Sequence, residues 1–106
     1  MNNAKCCLII TTTDNLENAN NIASYLIEHK LAACVQLDDI LSFFYLEGKP
    51  CQSKEFRLMI KTLSASYSAV EKAILERHNY SIPQIIKFDI TSGLPKYLDW
   101  VEGAVK

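Results

Sequence analysis

The stretch Ile40-Leu41-Ser42-Phe43-Phe44-Tyr45-Leu46 is apolar at both parities. Successive side chains of a strand point to opposite faces. Ile40, Phe44 and Leu46 therefore lie on one side of this strand, and Leu41, Phe43 and Tyr45 on the other. A strand with one wet face alternates apolar and polar residues. This one has to bury its second face too, against a C-terminal helix or another subunit, and any fold assigned to the chain must provide for that.

The flanking pattern fixes the connections. Cys6 to Ile10 is a continuous apolar run, as in a central strand covered on both faces. Asp14 or Asn15 is placed to cap a helix with Glu17 in its first turn, and Leu16, Ala19, Ile22, Ala23, Leu26 and Ile27 recur at helical spacing to an end near Lys30. The run Leu31 to Leu37 begins a strand, with a break expected at Asp38-Asp39 before Ile40 resumes it. Glu47-Gly48-Lys49 makes a hairpin turn in which Gly48 is free to take positive φ. In the return strand Phe56, Leu58 and Ile60 face one way, and Arg57 and Lys61 the other. Ser64 or Ser66 is expected to cap a second helix with the stripe Tyr67, Val70, Ala73 and Ile74. Pro83 introduces a last strand, where Ile86, Phe88 and Ile90 alternate with Lys87 and Asp89. A final helix carries Leu94, Tyr97, Leu98, Val101, Ala104 and Val105 on one face.

The resulting order is β-α-β-β-α-β-α in one domain spanning residues 1–106. It is an α+β arrangement: a ferredoxin-like βαββαβ sandwich with a long β-hairpin and an extra C-terminal helix. Two helices on one face leave the sheet's other face open. At about 100° per residue, Trp100 falls at the margin of the last helix's stripe, a common position for an interface anchor. With Phe43, Phe44 and Tyr45 it marks the expected interface. A domain of 106 residues buries only a modest share of its surface, so help from a partner is in keeping with its size.

Charge narrows the partners. Lys and Arg number 11 against 12 Asp and Glu, for a net charge of −1, with no basic block or stripe. Nucleic acid and anionic membrane are poor partners for such a surface. Met1 to Lys5 is polar and the apolar run after it is too short for an export signal, so a cytoplasmic protein is expected. Cys6, Cys7, Cys34 and Cys51 form no CxxC pair, and the adjacent two face opposite ways in a strand. Reduced thiols, not a disulfide framework, are expected.

Several stretches together resemble the CutA family of divalent-cation tolerance proteins. They are KLAACV (30–35), FYLEGK (44–49), IKT (60–62), the H-x-Y-x-x-P run from His78 to Pro83, and YLDW (97–100). The resemblance spans nearly the whole chain. It implies a homotrimer similar in architecture to the PII signalling proteins, with the hairpin packed across a subunit boundary. It implies a role in the response to metal ions, with weak copper or other divalent-cation binding and no firm cofactor. It also implies an intersubunit cleft containing Glu47, Lys49, Lys61, Thr62, His78 and Tyr80. The chain departs from the family pattern at three places: Asn79 follows the histidine where proline is usual, Gln84 replaces a glutamate, and the first loop reads Thr11 to Asp14 where some relatives carry a cysteine or proline.

These residues admit three functions. His78 is the candidate metal ligand, since imidazole suits copper and zinc. One histidine does not make a site, and Glu47 and Cys51 are the obvious helpers. The plainer account makes His78 a helix terminus favoured by the macrodipole. In the second function, Lys and Thr side chains of a PII-like signalling module hold a small anion or a partner segment. In the third, an enzyme uses His78, Tyr80, Lys61 and Glu47 as an acid-base pocket. No nucleophile elbow, phosphate loop or dinucleotide fingerprint supports the third.

Overall fold

The computed structural model describes residues 4–106. β1 (Cys6–Thr13) is followed by α1 (Leu16–Glu28), β2 (Cys34–Leu46), β3 (Lys49–Leu63), α2 (Tyr67–Arg77), β4 (Ile85–Ile90) and α3 (Pro95–Ala104). The sheet order is β2-β3-β1-β4, and every pairing is antiparallel. This is the expected ferredoxin-like sandwich with its long hairpin and C-terminal helix.

Side-chain parity divides the sheet. Cys7 and Ile9 on β1 and Leu58 and Ile60 on β3 point toward α1 and α2, where they meet Ala19, Ile22, Leu26, Val70, Ala73 and Ile74 in one buried core. Leu16 and Ile27, assigned to the α1 stripe, drift off it and stay exposed. Asn15 caps α1, its side chain accepting from the Asn18 N–H at 2.8 Å. Neither Ser64 nor Ser66 caps α2 through its side chain: a 3-10 turn over Ser64–Ser66 leads in, and the Ser64 hydroxyl donates to the Ala4 carbonyl instead.

The expected break at Asp38-Asp39 does not occur. β2 runs on because Asp38 stands opposite Arg57, which grips it with two hydrogen bonds of 3.2 and 2.7 Å. The hairpin turns through Glu47 (φ 53) and Gly48 (φ 77). Both central residues being left-handed is the type I′ pattern that matches strand twist.

The other face is partly covered. α3 lies there across β1 and β3, with the Cys6 thiol 3.9 Å from the Leu98 carbonyl and Lys61 Nζ 5.7 Å from the Tyr97 ring centroid. Ile86 and Phe88 share this face with Leu8 and Ile10 and remain exposed. β1 pairs with β3 only over residues 56–63, so the hairpin from about Ile40 to Glu55 extends beyond the four-stranded region as a two-stranded ribbon.

The cysteines lie apart. Cys6 and Cys7 are buried on opposite sides of β1, while Cys34 opposes Lys61 and Cys51 opposes Phe44 in the hairpin. Burial pushes both β1 thiols above their ordinary range, which keeps them protonated and unreactive. Adding reductant should leave the melting temperature unchanged. A fall of many degrees would reveal a bridge contributing the few kcal/mol of a native disulfide.

Candidate functional site

α2 ends at Arg77, whose carbonyl accepts from Asn18 Nδ2 at 2.7 Å, and His78 is the C-cap. From there the chain crosses the end of β1. The Tyr80 N–H donates to His78 Nδ1 at 3.0 Å, and the ring's Nε2 lies 2.8 Å from the Thr12 carbonyl. A backbone N–H only donates and a carbonyl only accepts, so Nδ1 is the acceptor and Nε2 carries the hydrogen. The imidazole is a strut between loop and strand.

Within one chain both ring nitrogens are engaged in hydrogen bonds, and His78 stands at the C-terminal end of α2. Among the described residues no group of three or more His, Cys, Asp or Glu side chains is placed to hold a metal ion. One chain therefore does not fit a metal site. His78→Ala should cost about 1–3 kcal/mol, because two polar partners lose their bonds. It should leave any Cu²⁺ binding unchanged, as calorimetric titration of both proteins would show.

The remaining candidates do not converge within one chain. Glu47 and Lys49 sit at the exposed hairpin tip. Lys61 lies 12 residues farther along β3, roughly 40 Å away at strand rise, and donates to Gln36 Oε1 at 2.8 Å. Thr62 is fully buried, its hydroxyl donating to the Leu31 carbonyl at 2.6 Å. It belongs to the core parity of Leu58 and Ile60 and closes the turn after α1. The acid-base set of His78, Tyr80, Lys61 and Glu47 is likewise not assembled in a single chain, nor is the lysine-threonine anion site. Of the interface candidates, Phe43, Phe44, Tyr45 and Trp100 are 71%, 40%, 78% and 52% exposed. Trp100 stacks on Tyr97 with centroids 5.7 Å apart.

Tyr80 does reach a partner. Its hydroxyl donates at 2.7 Å to one carboxylate oxygen of Glu55, and Ser42 donates at 2.6 Å to the other. Burial, then the Glu55 hydrogen bond and charge, push the Tyr80 phenol far above its ordinary range, so it remains a donor. Glu55 is only 9% exposed although it lies on the parity of Arg57 and Lys61. Sequence reasoning missed it because that parity looked solvated. The one available signal was its position at the level where a third strand begins to flank the hairpin.

A groove of about 810 Å³ opens above this carboxylate, between the hairpin and residues 80–84. The three departures from the family pattern meet at its edge. Thr13 donates to Asn79 Oδ1 at 3.0 Å, Asn79 Nδ2 donates to Asp14 at 3.0 Å, and Thr12 lies 3.4 Å from Gln84 Oε1. The altered residues satisfy one another, and so they form one local network, not independent losses.

A family model described as CutA1 divalent ion tolerance protein matches residues 7–104. The divalent-cation tolerance protein CutA of Archaeoglobus fulgidus is 40% identical over 98 residues, covering 92% of this chain and 96% of that protein. The corresponding protein of Thermus thermophilus is 30% identical, with 89% and 92% covered. Two solved structures are similar throughout. CutA1 from the psychrotrophic bacterium Shewanella sp. SIB1 gives a TM-score of 0.93 at 34% identity, with 97% of each chain covered. The A. fulgidus protein, described as periplasmic, gives 0.92 at 39% identity, with 95% and 99% covered.

Proposed function

The chain belongs to the CutA1 divalent ion tolerance family, and from that premise we propose that it serves divalent-cation tolerance as an obligate homotrimer, without catalysing a reaction. The observation that carries this reading is the hairpin ribbon. Phe43, Phe44, Tyr45 and Leu46 are exposed on both of its faces, and beyond the β1 pairing no described helix or strand of the same chain pairs with it. A soluble monomer rarely keeps a contiguous apolar patch of that size, and an isolated two-stranded hairpin is marginally stable in water. A neighbouring copy that covers the ribbon resolves both problems.

Divalent-ion contact in this reading is weak and is made between subunits. Among the described residues one chain assembles no ligand set, and copper is the ion most readily held by a sparse nitrogen-oxygen site. Among the described residues no helix is long and apolar enough to cross a membrane. A reducing, cytoplasmic setting suits the free thiols.

Native mass spectrometry at low micromolar concentration, with and without Cu²⁺, tests the proposal. The trimer mass should be present in both samples, with weakly retained copper in the second. A stable folded monomer would overturn it.

A further inference from the structure

The hairpin ribbon is tied to the body of the chain where the sheet stops supporting it. The last β1–β3 pair is Thr13 with Phe56, so Glu55 is the first residue of β3 beyond the four-stranded region. Its carboxylate accepts from Tyr80 at 2.7 Å and from Ser42, on the opposite ribbon strand, at 2.6 Å. One carboxylate thus joins both strands of the ribbon to the segment after α2. Among the described residues, the Tyr80–Glu55 bond is the one side-chain hydrogen bond or ion pair between residues 40–55 and the rest of the chain.

The tyrosine is itself anchored. Its N–H donates to His78 Nδ1 at 3.0 Å, His78 Nε2 lies 2.8 Å from the Thr12 carbonyl, and the two rings pack with centroids 4.9 Å apart. A continuous chain of hydrogen bonds therefore runs from the end of β1 to both ribbon strands. Charge makes this clamp stringent. Glu55 is 9% exposed, and among the described residues no lysine, arginine or histidine pairs with it. Short bonds from hydroxyls to a carboxylate are charge-assisted and belong to the stronger kind. A buried carboxylate that loses one keeps its desolvation cost without the compensation. Its remedy is to swing into water, and that carries the base of the ribbon with it.

We propose that Tyr80 is a positioning residue for assembly: its hydroxyl locks the ribbon at one angle to the sheet, so the apolar hairpin meets a neighbouring copy preformed. A preformed contact surface lowers the ordering cost of association. The assembly role rests on the trimer reading above, whereas the lock rests on bonds within one chain.

Tyr80→Phe tests it, because the change removes the hydroxyl and keeps the ring. In hydrogen exchange of the full chain, amides at the ribbon base, residues 40–43 and 52–55, should exchange at least about tenfold faster, equivalent to roughly 1.4 kcal/mol. Amides of residues 58–62 should keep their rates. Isotopically labelled and unlabelled protein are then mixed, and native mass spectrometry follows subunit exchange, which should also become faster in the variant. In a Glu55→Ala background the acceptor is gone, so Tyr80→Phe should add nothing further to either rate. Unchanged ribbon exchange in Tyr80→Phe, an equal loss of protection at residues 58–62, or a full additional effect in the Glu55→Ala background would each overturn the proposal. Faster ribbon exchange beside unaltered subunit exchange would overturn the assembly role alone. A monomeric wild type would overturn the trimer reading and the assembly role with it, and the ribbon amides would still decide the lock.

Discussion

Ile60→Ala should lower the stability of the protein by about 2–5 kcal/mol, the range for removing a large aliphatic side chain from a packed core. Ile60 is fully buried between the sheet and the helix pair, and it faces Ile9 and Val35 across neighbouring strands. The surrounding core is built from two strands and two helices, so it cannot collapse onto the space left behind. Met59→Ala is the informative companion. Met59 points to the other face, beside Ile10, and is half-buried in one chain. In a monomer its truncation should cost clearly less than that of Ile60. In an assembly that covers this face the two costs should approach each other, and the Met59 effect should rise with protein concentration. Urea denaturation of both variants at two concentrations reads the difference. A small, concentration-independent Met59 effect would leave the open face uncovered in solution.

The same division of faces explains what the sequence could and could not reveal. Strand and helix order followed from local periodicity, and the hairpin turn from Gly48, because these are properties of neighbouring residues; the positive φ of Glu47 was not read from the sequence. The break expected at Asp38-Asp39 failed because its remedy, Arg57, is 19 residues away and is brought opposite only by the hairpin register. Thr62 was drawn into the site by its motif, although its parity with Leu58 and Ile60 already placed it in the core. Glu55 was missed for the opposite reason. Its parity is that of Arg57 and Lys61, and its burial arises from Ser42 on the adjacent strand and Tyr80 on a distant loop. His78 was legible as a residue of consequence but not in its role, because a ring that bridges a carbonyl and an N–H leaves no mark in the spacing of residues. Hydrogen bonds that span 66 positions in sequence, as between His78 and Thr12, arise from topology alone.

Phe44→Lys should dissociate the assembly. Phe44 lies on the open-face side of the ribbon, opposite Cys51, and is 40% exposed in one chain. The ribbon gains nothing from the chain's own core, since its strands run beyond the last β1 pairing at Phe56. If a neighbouring copy buries this position, an ammonium placed there must be desolvated without a partner, at several kcal/mol for each copy. That exceeds what a small interface tolerates, because the cost recurs at every equivalent contact. Light scattering should therefore show the mass of a smaller species at low micromolar concentration. Hydrogen exchange should show the ribbon amides losing protection while those of residues 58–62, inside the four-stranded region, keep theirs. Asn20→Lys is the control, since it adds the same charge at an exposed polar position of α1, away from the ribbon. It should leave the mass unchanged. A Phe44→Lys protein that kept both its oligomeric mass and its ribbon protection would show that the apolar hairpin is not what holds the subunits together.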